Sequence, residues 1–289
     1  MKQLPIESYL VPRLEERKRL SDFLAGSFQT IPSRKAFKTT IKKGLVKLNG
    51  IRAYTADFVS SGDLIEIFQD TSANNKPSIE LEVAVLFEDE YLAVVHKPAG
   101  IVVSGNKKFT LENSLSFNLE ESSQADALIR PEPIHRLDYP TSGCLLIGKT
   151  SEALLALNAM FESKTIQKTY HAITVGPISE AGEINTPIES KASETHYKRI
   201  AQLPSKKYGF LNLLELNPST GRKHQLRRHL SSIGTPIFGD KTYGNIGRGS
   251  GLYLHATALQ FVHPITSEAI HITTKLPKKF INLFPLTII

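Results

Sequence analysis

The stretch IHRLDYPTSGCLLIGKTSEALLALNAMFES (134–163) passes from a charged, turn-rich segment to an apolar run and then to a helical pattern. CLLIGKT (144–150) is short, apolar and bounded by turn formers, which predicts a buried strand. Ala153, Leu154, Leu157 and Phe161 then recur at one-face helical spacing. Outward from there, ELEVAVLF (80–87) and YLAVVH (91–96) flank an acidic turn at Asp89-Glu90. TYHAITV (169–175), FLNLLEL (210–216), LYLHATALQFV (252–262) and AIHITT (269–274) are further strand patterns, with HPITSE (263–268) turning between the last two. Many strands with few interspersed helices predict an α+β domain over residues 80–289, built on a mixed or antiparallel sheet.

Residues 14–70 read as a separate small α/β module, joined by a polar linker at 71–79. RLSDFLAGSFQ (19–29) sets Leu20, Phe23, Leu24 and Phe28 on one helical face. Ser33 is placed to cap a second helix, RKAFKTTIKK (34–43), which Gly44 would end. LVKL and IRAY flank Asn49-Gly50, a tight-hairpin signal, and Gly62-Asp63 precedes the strand LIEIF. Arg34, Lys35, Lys38, Lys42, Lys43, Lys47 and Arg52 fall in a stretch without an acid. Such a run is either a solvated face or a surface for phosphates.

The whole chain carries 35 basic against 28 acidic residues, a net charge of +7 over 289 residues. That excess fits a polyanionic partner, most often nucleic acid. Cys144 is the single cysteine, so an intramolecular disulfide and any multi-cysteine zinc or iron–sulfur site are excluded. No apolar run reaches the roughly 18–20 residues of a membrane helix, and MKQLPIESYL lacks the apolar core of a signal peptide. A soluble, cytoplasmic protein is expected.

Three clusters could carry chemistry. In HRLDYPTSG (135–143), Arg136 and Asp138 are two apart, so an extended backbone sends both side chains to one face. A carboxylate beside an arginine stays ionised and is available as nucleophile or charge stabiliser, although a solvated loop could carry the same residues. TGRKHQLRRHL (220–230) follows a strand and is predicted to open a helix closed by Gly234. Arg222 and His224, near a glycine at a helix start, favour an anion. On such a helix Lys223 and Arg227 share a face, as do His224 and Arg228. His135, His224 and His229 have no ligand spacing with carboxylates, and no metal is expected. The third cluster is Lys168-Thr169-Tyr170 at a strand start, where Tyr170 alone would read as a core aromatic.

Taken together and in order, these clusters resemble the motifs of the RluA-type pseudouridine synthases. HKPAGIVV (96–103), HRLDYPTSG, Lys168-x-Tyr170, TGRKHQLRRHL with GTPIFGDKTYG (234–244), and LHATALQFVHPITSE (254–268) carry the resemblance across residues 80–275. It implies conversion of uridine in RNA to pseudouridine without metal or organic cofactor. Asp138 corresponds to the essential aspartate and Tyr170 to the tyrosine that stacks on the uracil and is placed for proton transfer. Arg227 corresponds to the arginine paired with that aspartate, Arg136 to the residue that fills the gap left by a flipped base, and Leu226 to a pocket wall. Two departures bear on substrate fit: Ser104-Gly105 stand where the family often has His-Pro, and Arg228 occupies a commonly apolar position.

The amino-terminal module is similar to the alpha-L RNA-binding domain first known from a small-subunit ribosomal protein. Arg19-Leu20, Phe23-Leu24, Ser33-Arg34, the run Ile41 to Val46, Leu48-Asn49-Gly50 and Gly62-Asp63 carry that likeness, with the expected Asp displaced to Asp22. The substrate-binding set is therefore Arg136, Leu226, Arg222 and His224 with Arg34, Lys35, Lys38, Lys42 and Lys43. The partner expected is RNA, large-subunit ribosomal RNA ahead of transfer RNA, bound by a monomer with no role for DNA or membrane. The alternatives are a non-enzymatic RNA-binding assembly factor and a nucleoside or sugar hydrolase; the latter would need a second placed carboxylate.

Overall fold

Ser33 accepts a hydrogen bond from the Ala36 backbone N–H at 3.2 Å and starts a helix that runs, as α1, from Arg34–Lys42. Gly44, at φ +77°, takes the left-handed position that ends it. Asn49 and Gly50, both at positive φ, turn the hairpin between β3 (Val46–Leu48) and β4 (Ile51–Arg52). The Asn49 amide also donates to Asp63 at 2.9 Å and its Oδ1 accepts from the Leu64 N–H at 2.8 Å, tying this turn to the start of β6 (Leu64–Ile67). β1 (Glu7–Leu10) adds to the outer edge of β6, giving a four-stranded antiparallel sheet in the order β1-β6-β3-β4. β2 (Lys18–Arg19) and β5 (Phe58–Val59) form a second, two-stranded ladder. Phe28, Phe37, Ile41, Val46, Ile65 and Ile67 fill the core of this unit.

The computed structural model describes residues 4–23, 28, 30–31, 33–68, 77–244 and 251–285. Within them the chain separates into two compact units, Met1–Asn75 and Lys76–Ile289. Most of the linker expected at 71–79 lies outside the described residues, as does Leu24. The helix expected over 19–29 is described only as a 3₁₀ turn at Leu20–Asp22. Its Ser21 carbonyl accepts from the Arg34 Nε–H, at 3.3 Å.

The second unit is α+β. Its strands are β7 (Val85–Glu88), β8 (Leu92–Lys97), β9 (Ala127–Pro133), β10 (Ser142–Thr150), β11 (Gln167–Val175), β12 (Ala181–Ile184), β13 (Thr195–Ser205), β14 (Gly209–Pro218), β15 (Leu254–Val262) and β16 (Ala269–Thr273). They form one ten-stranded mixed sheet along β12-β13-β14-β11-β15-β10-β8-β7, with β9 on β10 and β16 on β15. The described ladders of this sheet are antiparallel except β10 with β15, which meet in parallel only at Ser142–His255 and Gly143–Ala256. There the backbones touch: a Cβ on Gly143 would lie 2.1 Å from the Ala256 carbonyl oxygen, and Gly143 sits at φ +121°. Beyond that point the two strands diverge, β10 taking β9 and β15 taking β16 as the new neighbour. α2 (Leu115–Asn118), α3 (Ser151–Glu162), α4 (Gln225–Ser232) and α5 (Lys278–Leu283) complete the unit. Leu226, Leu230 and Phe280 join the core over β11, β14 and β15, whereas Leu157 of α3 packs on β8 and β10.

Candidate active site

The segment carrying Asp138 joins β9 to β10, just before the contact of β10 with β15. It is fixed from beneath. Leu137 is 6% exposed and packs in the core of β8 and β10, whereas Arg136 and Asp138 on either side are more exposed; all three line a cleft of about 320 Å³. That alternation is what an extended segment produces. The Asp138 carbonyl accepts from the Thr141 N–H at 3.0 Å. The Tyr139 carbonyl accepts from the Gly100 N–H at 2.8 Å and lies 3.4 Å from the Lys97 Nζ. Lys97 is fully buried, and its ammonium also donates to the carbonyls of Ile101 (2.8 Å) and Pro98 (2.9 Å). Burial pushes its pKa down to about 8, against the pull of the Asp138 charge.

Opposite stands α4. The expected helix from Thr220 begins only at Gln225, because the Gln225 side chain takes over the preceding loop. Its Oε1 accepts from the Thr220 hydroxyl and the Arg222 N–H, and its Nε2 donates to the Glu194 carbonyl. His224 caps the helix in the left-handed conformation, φ +55°, so Lys223 and His224 are not on the helical face expected for them.

Arg227 turns inward. Its Nη1 lies 3.4 Å from Asp138 Oδ2, while its Nε and Nη2 donate to the two oxygens of Asp240 at 2.8 and 2.9 Å. Burial opposes the guanidinium charge, but Asp240 and then Asp138 outweigh it and hold the pKa above its usual value. Asp240 is 1% exposed and also accepts from the Thr242 and Tyr243 N–H groups. The Arg227–Asp240 fork thus fixes the cation that faces Asp138.

Tyr170, on β11, lines the same cleft and packs against the two cores that meet there. Burial first, and the Asp138 charge second, push its phenol up, so it keeps its proton at neutral pH. His224 Nδ1 is 2.9 Å from the Tyr243 hydroxyl, and its Nε2 is 3.7 Å from Asp138 Oδ1. Burial lowers its pKa against the pull of Asp138, and Arg227 and Lys223 push the same way. Arg222, Leu226 and Lys168 are further cleft residues. Thr141, also in the cleft wall, has a buried hydroxyl with no hydrogen-bond partner among the described residues.

The structure thus brings Arg136, Asp138, Tyr170, Arg222, His224, Leu226 and Arg227 to one cleft. Arg34, Lys35, Lys38, Lys42 and Lys43 sit on α1 and its C-terminal cap in the other unit. Of the histidines weighed as ligands, His135 Nε2 accepts from the Leu146 N–H at 3.1 Å, and His229 is tied to Ser193, Thr195 and the Thr186 carbonyl. Among the described residues, Glu183, Glu194 and His196 are the group close enough to share a cation; they sit at the surface or half-buried, outside the cleft. Sequence reasoning did not single out Asp240 or Lys97, although both stand in stretches quoted above. Neither position announces that its side chain folds back on Arg227 or on the Tyr139 carbonyl.

Residues 91–232 match the family described as RNA pseudouridylate synthase. Ribosomal large subunit pseudouridine synthase C of Vibrio vulnificus (strain CMCP6) is 30% identical over 291 residues, covering 88% of this chain and 88% of its own length. The chain belongs to the RNA pseudouridylate synthase family. It is an isomerase acting on RNA. Another family member, tRNA pseudouridine synthase C of the same organism, is 33% identical over 235 residues, 69% of this chain and 93% of that protein. The solved structure of human RNA pseudouridylate synthase domain containing 4 shares the family fold at a TM-score of 0.57 and 25% identity, covering 68% of this chain and 90% of that one.

Proposed function

We propose that the protein isomerises uridines of large-subunit ribosomal RNA, with Asp138 acting at the sugar. The observation that carries this reading is the single carboxylate of the cleft, a quarter exposed and 3.4 Å from an arginine that is itself fixed by Asp240. The reaction breaks the ribose–nitrogen bond, turns the uracil and rejoins it through carbon. A paired base cannot turn in place, so the nucleotide must be flipped or already unpaired. Attack on the anomeric carbon and removal of the neighbouring proton both need the Asp138 carboxylate held in place, and Arg227, 3.4 Å away, is positioned to do so. Tyr170 would stack on the uracil, and Arg136, exposed at the cleft edge, would fill the gap in the RNA.

The preference for ribosomal RNA rests on coverage. The match to the large-subunit enzyme covers 88% of this chain, more than the second unit alone, and so reaches into the first, whereas the match to the transfer RNA enzyme covers 69%, a share the second unit alone can supply. The first unit would act as an alpha-L RNA-binding domain. At about 100° per residue, Arg34, Lys35, Lys38 and Lys42 share an arc of about 100° on α1, beside the buried Phe37 and Ile41. Cys144 is buried and its thiol pushed up to about 12, which leaves it protonated and unreactive, and a chain with a single cysteine fits a reducing cytoplasm. Among the described residues no helix is long and apolar enough to cross a membrane.

Asp138→Asn tests the assignment. With unmodified large-subunit RNA and unmodified transfer RNA, pseudouridine formation should fall below about one-thousandth of wild type while RNA binding persists. An active Asn variant would remove Asp138 from the chemistry. Modification of transfer RNA alone would reverse the substrate preference.

A further inference from the structure

A second cleft, of about 260 Å³, opens beside the first and shares Lys168 and Pro218 with it. Lys164, Ile166, Gln167, His196, Asn217 and Ser219 line its remainder. Two lysines there are placed in a way the fold does not explain. Lys168 is half-buried at the start of β11, with its ammonium 5.7 Å from the centre of the Phe161 ring. Among the described residues nothing accepts a hydrogen bond from that ammonium and no carboxylate pairs with it. A half-buried cation without a counter-charge is costly, and an anionic ligand would relieve that cost. Its pKa is lowered by burial first and by the Lys164 charge second, and both lysines line this cleft.

Lys164 follows the C-terminus of α3 at φ +62°. The Lys164 N–H reaches the Phe161 carbonyl at 3.3 Å and the Thr165 N–H the Met160 carbonyl at 3.0 Å, the pattern of a helix end that glycine fits without strain. A lysine at this point works against the backbone, and the residue lines the cleft. The carboxylate that senses Lys164, Glu194, is engaged by His196 at 2.7 Å and by the Ser219 hydroxyl at 3.2 Å.

We propose that this second cleft receives the phosphodiester next to the target nucleotide, so that an unpaired flank of the RNA leaves the active cleft over Lys168 and Lys164. The proposal rests on the RNA isomerase reading of the first cleft. Lys168, on the shared wall, takes the phosphate adjoining the flipped nucleotide, and Lys164 takes the next. The ligand class is the ribose–phosphate backbone of single-stranded RNA, recognised by charge and not by base identity.

The test uses the full chain, its Lys164→Gly and Lys168→Met variants, and a stem-loop RNA with one uridine in its loop. Binding is measured against salt, with a second RNA that carries an uncharged methylphosphonate beside the uridine. Each variant should bind about three- to tenfold more weakly and lose about 0.7 from the slope of log affinity against log salt. The methylphosphonate should weaken wild type but add little to the loss in Lys168→Met. Lys164→Gly should melt at or above wild type, which separates lost charge from lost fold. Wild-type affinity and slope in both variants, with wild-type protein modifying unmodified ribosomal RNA, would overturn the subsite and leave the reaction standing. Loss of slope in the variants with no pseudouridine formed by wild type on any RNA would overturn the reaction and keep the subsite.

Discussion

Asp240→Asn isolates the support behind Asp138. The Arg227 side chain is 6% exposed and Asp240's is fully buried, and they share two hydrogen bonds of 2.8 and 2.9 Å. Replacing one oxygen by an amide turns one acceptor into a donor facing a guanidinium. Breaking a buried ion pair from one side costs about 3–5 kcal/mol. In a unit spanning Lys76–Ile289 that shifts the melting temperature down by roughly 6–20 °C, at about 2–4 °C per kcal/mol. The Asn oxygen can still accept from the Thr242 and Tyr243 N–H groups, so their loop should persist.

Catalysis should fall with stability, because Arg227 then keeps its Nη2 bond to the Asn oxygen and the 3.4 Å contact to Asp138 but loses the Nε anchor and the ion pair that aim it. A displacement near 1 Å at the reacting groups corresponds to about 10²-fold in kcat/KM. Release of tritium from RNA labelled at carbon 5 of uridine reads that rate below the melting temperature, and calorimetry reads the stability. The double variant Arg227→Met/Asp240→Asn removes the unpaired cation and should recover about 2 kcal/mol relative to the sum of the single changes. A melting temperature within 2 °C of wild type, or strict additivity in the double variant, would refute the reasoning.

The remaining predictions concern acid stability, backbone contact and RNA affinity. His255 is fully buried and its pKa is depressed from 6.5 to about 3, chiefly by burial. The unfolded chain therefore takes up the proton first as pH falls below 6.5, and stability complete above that pH is lost towards pH 3, by about 2 kcal/mol at pH 5. His255→Asn, able to keep the Ser142 contact, should flatten the slope of stability against pH between 6 and 4 by about one proton, and an unchanged slope would acquit His255. Gly143→Ala forces a Cβ to 2.1 Å from the Ala256 carbonyl and should cost more than about 4 kcal/mol in chemical denaturation, so a wild-type midpoint would mean that β10 and β15 do not touch there. Lys35→Ala with Lys42→Ala should reduce the salt slope of RNA binding by about 1.4–1.8, whereas an intact slope would make α1 a merely solvated face.

The α+β class and most strands were legible because their apolar periodicity is strong, as in CLLIGKT, where every residue is buried. In the second unit β9, β12 and β13 were not. ALIRPEP carries two prolines and pairs only with β10, so it lacks the ladder pattern of an inner strand. THYKRIAQLPS is half-solvated and interleaves charge with apolar residues, which blurs its alternation. The start of α4 depended on the Gln225 side chain capturing its own loop, a tertiary choice that no helix signal encodes. Asp138 was singled out through the resemblance of HRLDYPTSG to the family motif, its spacing from Arg136 being compatible with a solvated loop as well. Asp240 was not, because its partner is thirteen residues earlier on another element and the fork exists only after folding. Lys97 likewise reads as a surface lysine until three carbonyls close around it.

The charge inventory of the cleft bears on how a single carboxylate could suffice. Among the described residues Asp138 is the sole acid lining the cleft, against the cations of Arg136, Lys168, Arg222 and Arg227. Enzymes that cleave glycosidic bonds usually place a second carboxyl group to protonate the leaving group. Here the hydroxyl nearest that role, on Tyr170, is pushed towards holding its proton by burial and by Asp138 itself, which makes it a weak acid. Under the proposed reaction the uracil would then leave as an anion, its charge spread over the ring and held by the surrounding cations. That suits an isomerase. A protonated, neutral base would be free to diffuse away, whereas an anion trapped among cations has time to turn and rejoin through carbon. The excess positive charge that draws RNA to the cleft and the missing general acid are on this view one design: both keep a negative group bound beside Asp138.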